Sequence, residues 1–102
     1  MTHRITSSEF TQADGVADWS VEGETAGATF RTGSFATGVR LIDAIAPLAE
    51  RANHHPDVDL RYFSVTVRLT THDAGGLTEK DVDLAREISA AARDLDVPAE
   101  AR

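Results

Sequence analysis

Glu50, His54, His55 and His72 are the residues of this chain whose types and spacing can do chemistry. An imidazole titrates near ~6.5, so it can both give and take a proton at neutral pH, and two or three around one ligand can run a general acid–base step. Glu50 precedes His54 by four residues, a spacing that on a helix puts both on one face, where the carboxylate can orient or charge the ring. His55 projects elsewhere, and Pro56 restricts it to extended geometry, so a helix ends at the pair. His72 and Asp73 follow an alternating strand. A strand end and a helix end can meet, which would line one pocket with three imidazoles and a carboxylate. A lone histidine near a helix end more often caps carbonyls or faces solvent; three at such positions weigh towards chemistry. His3, in the N-terminal segment, carries no such signal.

Other uses of these residues are weaker. A metal site of three histidines, or two and a carboxylate, is conceivable, but there is no His-x-x-x-His spacing to present two ligands from one helix, and adjacent helical histidines point about 100° apart. Ser34 or Ser64 could start a serine hydrolase triad, yet no Gly-x-Ser-x-Gly elbow is present. With no cysteine, disulfides, thiolate zinc sites and a cysteine nucleophile are excluded. The net charge of −7, with 10 basic residues scattered among 17 acidic ones, argues against nucleic acid as a partner. The N-terminus lacks the apolar stretch of a signal peptide and no apolar run approaches a membrane span, so a cytoplasmic location and no membrane partner are expected.

The elements that must position the histidines read as follows. At 102 residues the chain is one domain. Residues 1–18 are weakly patterned, with Ser7 or Ser8 as N-cap of a short helix ending near Gly15. Segments around Trp19–Val21 and Thr29–Phe30 read as a hairpin. Phe35, Val39, Ile42, Ile45, Ala46 and Ala49 then recur at helical spacing, predicting a helix with one buried face that runs to about Asn53. Pro47 sits inside it, predicting a kink or break near residues 43–46. "RYFSVTVRLTT" alternates as one half-buried strand, with Tyr62 packed. "LTEKDVDLAREISAAARDL" is a second helix, with Thr78 as N-cap and Asp81 three residues on. Residues 97–102 read as a frayed tail. Two strands, a helix, a strand and a helix favour an α+β domain, with helices on one face of an antiparallel sheet whose other face and edges are open to self-association.

The string Glu50-x-x-x-His54-His55-Pro56, five residues, Tyr62, nine residues, His72, eight residues, Asp81 resembles the signature of the pterin-4a-carbinolamine dehydratases, and the similarity extends over about residues 19–93. The resemblance implies a four-stranded antiparallel sheet with helices packed on one face, assembled as a homodimer or homotetramer. It implies dehydration of a 4a-hydroxytetrahydropterin to quinonoid dihydropterin, with the pterin as substrate, no bound cofactor or metal, and a possible link to an aromatic amino-acid hydroxylase. On that reading His54 and His72 share the acid and base roles, His55 binds the pterin or assists the hydroxyl, Glu50 orients His54, and Asp73 and Asp81 are candidate pterin contacts. The capping position of Asp81 equally suits a structural role. The chain departs from the family pattern at Val58, where Trp is common, at Phe63, where Asn is frequent, and at Pro47. A second reading keeps the fold without the catalysis, as a binding or assembly module.

Overall fold

The computed structural model describes residues 3–101. Chain order is α1 (Ser7–Gln12), β1 (Ser20–Glu22), β2 (Thr25–Arg31), α2 (Phe35–Ala52), β3 (Asp57–Leu60), β4 (Ser64–Leu69), a 3-10 turn (His72–Ala74) and α3 (Glu79–Asp94). The four strands form one antiparallel sheet in the order β1-β2-β4-β3. Gly23, at φ +59°, is the first of two residues joining β1 to β2, where a primed hairpin turn requires the left-handed region.

Alternation along β2 and β4 sends Ala26, Ala28, Phe30, Val65, Val67 and Leu69 to one face, where they meet Leu41 and Ile45 of α2 and Leu84, Ile88 and Ala92 of α3. Trp19 lies edge-on to Phe30, with ring centroids 6.2 Å apart, and its indole N–H donates to Ser89 Oγ at 2.9 Å. That bond satisfies the polar edge of a fully buried ring. The opposite face of the sheet is polar, and Thr29 and Thr66 share a hydroxyl contact of 2.9 Å across it.

Several expectations need correction. The N-cap of α1 is Thr6, not Ser7 or Ser8, because Glu9 completes a capping box with it, and the helix stops at Gln12. α2 runs unbroken through Pro47, which lies on its exposed side, where water can solvate the carbonyl left without a donor. The apolar residues of α2 divide between two faces: Gly38, Leu41, Ile45 and Ala49 are buried, whereas Phe35 and Val39 are 55% and 39% exposed. The expected strand over "RYFSVTVRLTT" shortens to β4, because Arg61–Phe63 form a turn in which Arg61 N–H donates to Ser64 O at 2.8 Å, and the residues before that turn form a strand of their own, β3, that pairs back on β4. Tyr62 is consequently an exposed tip residue whose ring lies tilted against Phe63, at a centroid distance of 4.3 Å. Beside it the Arg61 guanidinium hydrogen-bonds Asp59 and holds that carboxyl below its usual range.

The expected frayed tail is docked over residues 97–101, and Arg102 lies outside the described residues. Arg31 N–H donates to Pro98 O at 2.8 Å, Glu100 N–H donates to Thr29 O at 2.7 Å, and Val97 is buried. The segment takes up the stretch of β2 that the shorter β1 leaves unpaired, so backbone groups that would otherwise lack partners are satisfied.

Candidate active site

The histidine pair owes its geometry to the way α2 stops. Asn53 adopts the left-handed conformation, at φ +48° and ψ +45°, its N–H donates to Glu50 O at 3.2 Å, and the N–H of His54 reaches back to Ala49 O at 3.1 Å. This is a Schellman closure, with Asn in the place usually taken by Gly. The reversal sends consecutive side chains in different directions. His54 turns inward against α3 and is nearly buried; His55 stays half exposed.

Each imidazole meets a different carboxylate. His54 Nε2 lies 2.6 Å from Asp81 Oδ1, and His55 Nε2 lies 2.5 Å from Glu50 Oε2. The expected Glu50–His54 pair is therefore replaced by Glu50–His55, because the i, i+4 relation fails once Asn53 leaves the helix. Asp81 sits at the third position of α3, fully buried, with Oδ2 accepting the Thr78 N–H at 2.9 Å and the Thr71 hydroxyl at 2.8 Å. A carboxylate only accepts, so with Asp81 ionised the proton shared with His54 belongs to Nε2. His54 Nδ1 has no hydrogen-bond partner among the described residues.

His72 arrives from the other side. β4 ends at Leu69, and Thr71 pairs with Gly76 through bonds of 3.0 and 3.3 Å that close a short loop around the 3-10 turn. Gly75, at φ +71°, ends that turn. The loop presents His72 and Asp73, both exposed, beside the end of α2. A cleft of about 210 Å³ results, lined by Asn53, His54, His55, Thr70, Thr71, His72, Asp73 and Lys80. All three imidazoles thus line one cavity. Glu50 lies outside it, on an adjoining apolar groove with Ile42, Ile45, Ala46, Pro56 and Val58 that shares His55 as a wall. Asp81 is buried behind His54 and is not among the residues that line the cleft. Among the described residues no group of three or more His, Asp or Glu side chains is arranged around a common point as metal ligands would be. The arrangement suits proton exchange with a small polar ligand.

The family model described as pterin 4 alpha carbinolamine dehydratase matches residues 3–91. The chain belongs to the pterin carbinolamine dehydratase family. A family member from Nocardia farcinica, provisionally named as such a dehydratase, is 44% identical over 95 residues, 91% of this chain and 100% of the relative. Another from Chloroflexus aurantiacus, named in the same provisional way, is 52% identical over 71 residues, 70% of this chain and 76% of its own length. The crystal structure of a transcriptional coactivator/pterin dehydratase from Brucella melitensis is similar at a TM-score of 0.81 and 34% identity, over 88% of this chain and 99% of that one. A pterin dehydratase-like protein solved as a RuBisCO assembly factor of the alpha-carboxysome is similar at a TM-score of 0.60 and 26% identity, over 74% and 89% of the two chains.

Within this pterin dehydratase fold, sequence reasoning missed Asn53, Thr70, Thr71 and Lys80 as cleft residues. The left-handed preference of Asn could have marked Asn53, and Thr71 adjoins His72 in the chain. Lys80 follows the helix cap by two residues, and nothing in that position distinguishes it from a solvated first-turn side chain.

Proposed function

We propose that this protein eliminates water from a 4a-hydroxytetrahydropterin to give a quinonoid dihydropterin. The C4a–O bond breaks, a proton is delivered to the departing hydroxyl, and the proton on the neighbouring ring nitrogen is taken up, so atoms and charge balance without an oxidant or reductant. His54 and His72 share the acid and base roles, with His54 exchanging its proton at Nδ1 because Nε2 is committed to Asp81. His55, oriented by Glu50, contacts the pterin or assists the hydroxyl. Asp73 is a candidate acceptor for the amino and ring N–H groups of the pterin. The pterin is the substrate, and the step calls for no further cofactor. The reaction class that would supply it is a tetrahydropterin-dependent hydroxylation, such as that of an aromatic amino-acid hydroxylase.

The observation that carries this reading is the convergence of His54, His55 and His72 on one cleft, with a buried carboxylate holding the far nitrogen of His54. The competing reading, a non-catalytic assembly module, draws on the likeness to the RuBisCO assembly factor. It requires no such convergence. Stopped-flow dehydration of chemically generated 4a-hydroxytetrahydropterin separates the two. Acceleration by the wild type, with losses of roughly 10²–10⁴-fold in His54→Ala and His72→Ala, is expected if these groups are acid and base. No acceleration by folded wild-type protein would sink the dehydratase reading and leave the module.

We further propose that the chain assembles as a homodimer or homotetramer. Phe35, Val39, Ile42 and Ala46 form a stripe along the outer side of α2, and Val58, Tyr62 and Phe63 are exposed on β3 and its turn. So much outward apolar surface on a small, acidic domain suits burial against a second copy of the same chain.

A further inference from the structure

We infer that Thr71 is a positioning residue for His54, whose hydroxyl, by occupying Asp81 Oδ2, aims Oδ1 at Nε2 of His54 and tempers the carboxylate so that Nδ1 stays free as the nitrogen that works in the cleft. Its catalytic consequence rests on the dehydratase reading above; the tautomer itself does not. The argument follows the protons. Thr71 is buried, and its Oγ1 lies 2.8 Å from Asp81 Oδ2 and 2.8 Å from Thr78 Oγ1. A hydroxyl has one proton to give. Thr78 Oγ1 already accepts the N–H of Lys80 at 3.2 Å, and its own proton can go to Thr71 Oγ1. The Thr71 proton then goes to Asp81 Oδ2, which also receives the Thr78 N–H. Two donors occupy Oδ2 and fix the carboxylate, leaving Oδ1 to His54.

The same residue bears on the second imidazole. Thr71 immediately precedes His72, and its backbone closes the loop that carries it. One side chain therefore ties the strand end, the start of α3 and His54 together, and sets His72 relative to His54. Ionisable groups near His54 are Asp81 and Lys80 from α3, His55 beside it in the chain, and His72 and Asp73 from the 3-10 turn. All of them remain when only the Thr71 hydroxyl is removed.

The test begins without any pterin. In long-range ¹H–¹⁵N spectra of the folded wild type at neutral pH, the ring assigned to His54 by its loss in His54→Gln should carry its proton on Nε2. In Thr71→Val, Oδ2 loses a donor and more of the carboxylate charge is available to Oδ1, which favours the imidazolium. The acid limb of the kcat/KM profile for 4a-hydroxytetrahydropterin dehydration should then move to higher pH. kcat should fall by about tenfold, short of the ~10²–10⁴-fold carried by a general acid or base outright, with KM changed much less. Thr71→Ser should restore the wild-type ring shifts, the pH profile and kcat. A wild-type His54 protonated on Nδ1, a folded Thr71→Val with unchanged ring shifts and profile, or a Thr71→Ser as impaired as Thr71→Val would each overturn the inference. Should Thr71→Val fail to fold, the wild-type tautomer and the Thr71→Ser comparison decide in the same way. An Nε2–H ring with restored spectra in Thr71→Ser, in a protein that dehydrates no pterin, would leave the assignment standing while the dehydratase reading falls.

Discussion

His54 and His55 are neighbours in the chain, yet their carboxylate partners differ in what they can do. Asp81 is fully buried and holds three donors; Glu50 is mostly exposed and holds one. A charge-assisted bond away from water is strong, whereas an exposed ion pair is worth about 0–1 kcal/mol. Asp81→Asn would set an amide NH₂ or a weaker acceptor against these donors. Thermal denaturation should show a loss of about 1–3 kcal/mol, alongside a large fall in dehydration kcat/KM. Glu50→Gln should leave stability within about 0.5 kcal/mol and lower kcat/KM far less. Equal effects of the two substitutions would contradict this division. The three histidines could be picked out in the sequence because imidazole is rare and chemically distinctive. Which carboxylate meets which ring could not, since spacing rules describe one helix, and the bond from His54 to Asp81 crosses from the end of α2 to the start of α3.

At the scale of elements, α2 carries its proline without breaking because the residues flanking Pro47 that face the sheet, Ile45 and Ala49, are anchored in the core. The missing N–H and the ring fall on the solvent side. Replacing Pro47 by Ala should therefore stabilise the protein, by up to about 3 kcal/mol, read as a raised Tm with unchanged near-UV circular dichroism. A lowered Tm would mean that the fixed φ or the contacts of the proline ring stabilise α2. The helices and the β1–β2 hairpin were legible because period and turn residues agree locally. The β3–β4 turn was not: Arg61, Tyr62 and Phe63 continue the alternation of β4 and contain neither Gly nor Pro. The docked tail escaped for a related reason, since its partners on β2 are distant in sequence and its own residues carry little strand propensity.

For the whole molecule, the helical period of α2 was visible but its two-sidedness was not, because a stripe facing a partner and a stripe facing the core contain the same residue types. If the outer stripe meets a second copy, light scattering after size exclusion should give a dimer or tetramer for the wild type and a folded monomer for Phe35→Glu/Val39→Glu. A monomeric wild type at micromolar concentration would remove the assembly proposal. A capping box between Thr78 and Asp81 closes the start of α3. Asp81, which closes that box from the third helical position, is also the residue that holds His54 Nε2, so docking α3 and setting that ring are a single event. On the proposed dehydratase reading, a chain caught during refolding with its sheet formed and α3 undocked would possess every histidine and no catalyst, and recovered activity should follow the last cooperative phase of folding with no partly active species before it.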